Sequence, residues 1–153
     1  MKPRLALLLA LPSAALMAQG MESGGFILDS HLGTRSYGIG GTIYFNTKID
    51  INPRIGVQAY RIMPAYSGPT NSSTSFTIGV GIFKYFYLDF EKSDEPIGYP
   101  KSIGKGNGIK MGGIYQVELD DVPFGIGSFI AFRSGNGQSN TEAGLQISYT
   151  FGF

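Results

Sequence analysis

Along most of this chain hydrophobic and polar residues alternate with a period of two, the mark of strands whose two faces meet different surroundings. Residues 141–153 are the clearest case. Ala143, Leu145, Ile147, Tyr149, Phe151 and Phe153 fall on one face, and Glu142, Gly144, Gln146, Ser148, Thr150 and Gly152 on the other. Seven earlier segments carry the same signal: 24–33, 35–46, 54–62, 75–83, 86–91, 108–119 and 124–133. The first is the least regular, with Ser30 among its apolar positions and Ile27 among its polar ones. Near Lys84 the pattern reads as a change of phase, which implies a very tight turn over 83–85 or, alternatively, one long strand with a bulge.

Eight such segments predict an all-β chain. The expected architecture is an eight-stranded antiparallel up-and-down transmembrane β-barrel, because strands of roughly 9 to 11 residues suit a tilted membrane crossing. Turn-forming residues separate the strands, including Asp50, Asn52 and Pro53 in 47–53. The stretches after the third and fifth strands, at 63–74 and 93–107, are longer than those after the second, fourth and sixth; 134–140 after the seventh equals 47–53 after the second, and the first connection, 33–35, is short. Outer-membrane barrels have short turns on one side and longer loops on the other.

Composition moves the picture further from a soluble domain. Charged residues make up 15% of the 153, against about 25% in ordinary soluble domains. The polar strand faces are rich in glycine, which suits the crowded inside of a narrow barrel better than open water. A soluble secreted barrel or sandwich, its apolar faces meeting in a core, remains the rival fold.

Residues 1–20 differ from the rest. Lys2 and Arg4 precede the apolar run 5–11 and a small-residue region, with cleavage expected after Ala18 or Gly20. That is the layout of a secretory signal peptide, and the run is too short to span a bilayer as a helix. Residues 21–153 form the barrel domain. Without Lys2 and Arg4 the chain carries ten basic and eleven acidic residues, with no basic stripe for nucleic acid. There is no cysteine and only one histidine, so neither a disulfide framework nor a metal site is expected. The glycine clusters 38–41 and 79–81 lie within strands rather than at a strand-to-helix junction, so a phosphate-binding loop is not indicated and no cofactor is expected.

These segments together resemble the small eight-stranded outer-membrane β-barrels of the OmpA/OmpX type. The terminal series Leu145, Ile147, Tyr149, Phe151 and Phe153 looks like the assembly signal such barrels carry at their C-terminus. The resemblance implies that Tyr149, Phe151 and Phe153 would be read by the barrel-insertion machinery. It also implies the outer membrane of a Gram-negative-type cell, outer-membrane lipid as surroundings, and a monomer.

Parity then selects what points inward. The inward charged set is Asp29, His31, Arg54, Asp89, Glu91, Lys110, Glu118, Arg133 and Glu142, with Tyr44, Gln58, Tyr60, Tyr87, Gln116 and Gln146 among them. Buried charges of both signs are costly unless paired, so an internal polar network is expected. It would be a packed plug in a barrel this narrow, the alternative being a proton or ion path. His31, whose reference pKa lies near neutrality, could instead serve a lipid-modifying deacylase or acyltransferase with Asp29 orienting it. The stretch 132–137 followed by 142–145 is similar to the His-x-Ser-Asn segment and downstream acid of outer-membrane lipid A deacylases, but Phe132 stands where the histidine would be. The expected function is a non-enzymatic envelope scaffold or surface-binding protein, with any external ligand met by loops 63–74 and 93–107.

Overall fold

The computed structural model describes residues 24–47, 49–66, 71–83, 86–94, 105–119, 122–135 and 137–152. The segment 1–20 and Phe153 therefore lie outside the described residues. Eight strands form a closed antiparallel barrel in chain order. They are β1 (Gly24–Gly33), β2 (Ser36–Phe45), β3 (Ile51–Ile62), β4 (Ser72–Ile82), β5 (Phe86–Ser93), β6 (Gly106–Leu119), β7 (Val122–Gly135) and β8 (Gln138–Gly152). A 3-10 turn, Pro64–Tyr66, follows β3.

The wall closes with a stagger that can be read from its register. Starting at Thr150 on β8, the partners run through Ile27, Thr42, Gly56, Thr77, Glu91, Gly108 and Arg133 and return to β8 at Asn140, ten residues from the start. With about 3.3 Å per residue and about 4.8 Å between strands, the strands tilt roughly 40° from the axis. The stagger is an even number, so every side chain keeps its face around the ring. β1, the least regular strand in sequence, pairs with β2 from Gly24 to Leu32 and with β8 from Gly25 to Gly33. Its exceptions are accommodated as they read: Ser30 is exposed outside, and Ile27 shares the inner row with Thr42.

Several boundaries differ from the sequence reading. β3 begins at Ile51, so Asn52 and Pro53 belong to the strand and not to the turn. Proline is tolerated there because the β2–β3 ladder ends at Tyr44–Arg54, and no neighbour needs its missing N–H. The expected loop 134–140 is a hairpin: Ser134 pairs with Ser139 and Gly135 with Gln138, leaving two residues between the strands. Gly137 takes φ 77°, the left-handed geometry that an Asn-Gly turn needs. This strand extension was hidden because both of its faces are polar. Near Lys84 the chain turns, with Phe83 at φ 54°, but the phase does not change. Phe76 and Ile78 before the turn and Phe86 and Phe90 after it are all exposed outside. The loops 63–74 and 93–107 narrow to 63–71 and 94–105, and these remain the longest connections, both at the same end of the barrel.

Glycine on the inner face makes space for long neighbours. A Cβ at Gly40 would strike the Gln58 side chain, one at Gly79 would strike Asp89, and one at Gly33 would strike Glu142. At Gly127 the obstacle is the Gly113 carbonyl oxygen on β6, which is backbone and cannot rotate away. Gly127→Val is therefore expected to destabilise the barrel by about 1 to 3 kcal/mol. Ser128→Ala, on the exposed outer side of the same strand, should change little. Urea unfolding in detergent micelles measures both.

Candidate functional site

The described side chains inside the barrel are mainly polar and charged. Asp29, His31, Arg54, Asp89, Glu91, Lys110, Arg133 and Glu142 are all buried, none more than 8% exposed. Eight of the nine charged positions expected inside are therefore there. The ninth, Glu118, pairs with Pro123 through its backbone, but its side chain lies outside the described residues. Gln58, Tyr60, Tyr87 and Gln146 are buried beside them, whereas Gln116 is exposed and Tyr44 half-buried near the short-turn end.

Towards the end that carries the two long connections, Arg133 from β7 sits between two carboxylates. Its Nε lies 2.6 Å from Glu91 Oε2 on β5, and its Nη1 meets Glu142 Oε2 on β8. Glu91 also accepts hydrogen bonds from the Tyr60 hydroxyl and, at 3.1 Å, from Ser75 Oγ. Glu142 reaches across the seam to the β1–β2 turn, where its Oε1 accepts the backbone N–H groups of Arg35 at 2.9 Å and Ser36 at 2.7 Å. The Ser36 hydroxyl donates to the same oxygen at 3.0 Å. One carboxylate thus satisfies a turn and one side of the guanidinium together. Charge-assisted bonds of this kind are the strong ones, and each carboxylate here has more than one donor.

A second tier lies nearer the short turns. Arg54 Nε is 3.0 Å from Asp89 Oδ1, and its guanidinium stacks 4.4 Å over the Tyr87 ring. The Tyr87 hydroxyl donates to Gln146 Oε1 at 2.8 Å. Gln58 Nε2 donates to Asp29 Oδ2 at 3.1 Å. Between the tiers, His31 packs 4.6 Å from the Tyr60 ring and edge-on to Phe129, and Lys110 Nζ lies 4.6 Å over Phe129. His31 Nδ1 is 4.0 Å from Asp29 Oδ1, too far for a hydrogen bond.

The described lumen holds four carboxyl groups (Asp29, Asp89, Glu91, Glu142), three basic side chains (Arg54, Lys110, Arg133) and His31. Near-balance of sign is what burial of so many charges demands. The middle also contains buried polar atoms that make no hydrogen bond among the described residues, including both His31 nitrogens, Gln58 Oε1 and Gln146 Nε2. They carry almost no accessible surface, so side chains fill this level of the barrel. A recess of about 690 Å³ lies at the long-connection end, lined by outward-facing Phe90, Ile109, Phe132 and Thr141 as well as by Arg133 and Asn140.

The geometry bears on the enzymatic candidates. The His31 side chain is 0% exposed, enclosed by the barrel wall and separated from anything on the outer face. Ser134 is exposed outside, whereas Glu142 is fully buried inside and engaged with Arg133, so the deacylase-like stretch does not bring its serine and acid together. No group of three metal-ligating side chains occurs among the described residues. Tyr149 and Phe151 lie at the short-turn end of β8 with rings 4.4 Å apart, and Phe151 faces Phe26 across the seam at 6.4 Å.

No protein-family model, curated protein or solved structure matches this chain. Its function is therefore read from the barrel itself. Two contributors to the network were not singled out from sequence as site residues, Ser36 and Ser75. Parity put both on the inner face, but nothing in a lone serine marks a partner 106 residues away.

The Arg133 clamp has a measurable consequence. Arg133→Met should destabilise the barrel by about 3 to 5 kcal/mol, because Glu91 and Glu142 would remain buried without their cation. Adding Glu91→Gln and Glu142→Gln should restore most of the loss. Urea unfolding of the single and triple variants tests the pair of expectations.

Proposed function

We propose that this chain is an outer-membrane β-barrel of the small eight-stranded OmpA/OmpX type, exported by the signal in 1–20. It acts as a non-enzymatic envelope scaffold or surface-binding protein. The observation that carries this reading is the inversion of its two faces. Among the described residues twenty-three large hydrophobic side chains are exposed, while the buried hydrophobic set is six residues and the buried polar set is larger. Ordinary soluble monomers do not expose a continuous apolar surface of this extent. Lipid would cover it without cost, because every strand is paired on both sides and no open backbone edge faces the hydrocarbon along the wall.

The arrangement of residue types along the outer wall supports the same reading. Phe26, Phe45, Phe86, Tyr115, Phe124 and Phe151 gather towards the short turns, and Tyr37, Phe76, Phe90 and Phe132 towards the long connections. Leu28, Ile55, Ile78, Ile126 and Ile147 occupy the middle. Aromatic girdles flanking an aliphatic belt match the two interfaces and core of a bilayer. On β3 the outward positions run from Ile51 to Ala59 before Arg61 appears. Ten residues at a tilt of about 40° rise roughly 25 Å, the height of an outer-membrane apolar band.

The filled lumen favours a scaffold over a channel. Any binding would fall to the connections 63–71 and 94–105, which join their strands at one end of the barrel. A refolded barrel is expected to migrate differently on a denaturing gel when boiled and unboiled. Identical migration, with partitioning into water, would sink the membrane reading. Ile147→Arg, at mid-height on β8, should cost ~2 to 4 kcal/mol of folding free energy in lipid. Unchanged folding would mean that this face does not meet hydrocarbon.

A further inference from the structure

The outer wall is not electrically uniform, and its few charges are placed asymmetrically. Along β3 the outward series is apolar until its last member, Arg61, and along β5 Phe86, Leu88 and Phe90 lead to Lys92. Both cations are exposed, and both stand at the long-connection end. Between them β4 turns Ser72 and Thr74 outward, directly above Phe76. Arg61 aligns with Ser72, and Lys92 with Phe76, on opposite sides of that strand. Exposed Lys105 lies at the start of β6 at the same end. Asp94, exposed at the same end, has its Oδ1 engaged, accepting the Thr74 N–H at 2.7 Å and the Ser73 hydroxyl at 3.0 Å. Arg61 donates to the Asn71 side chain at 2.7 Å, which holds its guanidinium upright against the top of the wall.

We propose that the outer surface of β3–β4–β5 at this end docks the phosphate-bearing headgroups of the surrounding lipid. Arg61 and Lys92 supply the charge, and Ser72 and Thr74 supply hydroxyl donors between them. Continuity with the apolar band selects a lipid over a free anion: Val57, Phe76 and Phe90 just below would hold acyl chains while the two cations meet the headgroup. A forked guanidinium and a flexible ammonium on either side of a strand can share one phosphate or take two neighbouring ones. The cations also fix the depth of the barrel, since they cannot sink below the headgroup level without losing their water. This inference rests on the membrane reading, and its test separates the two.

The wild-type chain and the double variant R61Q/K92Q are refolded into vesicles of phosphatidylcholine alone and of phosphatidylcholine mixed with phosphatidylglycerol, at low and high salt. The wild type is expected to fold more favourably in the anionic vesicles at low salt, and salt should remove the gain. The double variant should fold as well as wild type in phosphatidylcholine and lose the anionic gain, by about fivefold in the folding equilibrium for each cation removed. The charge-conserving variant R61K/K92R should keep it. Equal gain in wild type and R61Q/K92Q, or no gain in wild type, would overturn the headgroup collar while leaving the membrane reading intact. Failure of the wild type to insert into either vesicle would overturn both.

Discussion

Closure of eight strands with a stagger of ten residues is the constraint on which the rest of this protein depends. It gives a wall with no open edge along its length and an interior only wide enough for side chains. Everything placed inside must then fit by volume and balance by charge at once. Glycine and small hydroxyl residues on β2 and β4 stand beside long side chains on β3 and β5, so that Gln58 lies over Gly40 and Asp89 over Gly79. A lumen packed in this way resists both collapse and flooding. It also leaves the outside of the wall to carry the apolar surface that a soluble fold would bury.

Within that frame the Arg133 clamp joins parts of the chain that no single hairpin connects. Glu91 brings in β5 with Tyr60 of β3 and Ser75 of β4, and Glu142 brings in β8 and the β1–β2 turn. Six of the eight strands therefore meet through one guanidinium and its two carboxylates, at the end where the longest connections leave the barrel. Those connections stand on a braced rim.

Which side chains enter the lumen was legible from parity alone, as Asp29, Arg54, Lys110 and Arg133 illustrate. Which of them touch was not. Arg54 could have paired with any acid on a neighbouring strand, and its partner Asp89 is reached only because β3, β4 and β5 are offset as they are. Glu142 offered no hint that it would accept the N–H groups of Arg35 and Ser36. That bond exists because β8 continues past the end of β1 and its side chain arrives over a turn.

The chain's alternation by itself determined the strand number and which residues of nearly every strand share a face, but not which face turns inward. The tertiary structure decided the stagger, the ion pairs, the inclusion of Pro53 in β3 and the extension of β7 and β8 through what reads as a polar loop. The reason is that a period of two is blind to register. Sliding a strand by two residues keeps every face and changes every partner, and alternation disappears where both faces are polar. Only closure of the complete ring selects one offset for all eight strands, and with it the contacts inside.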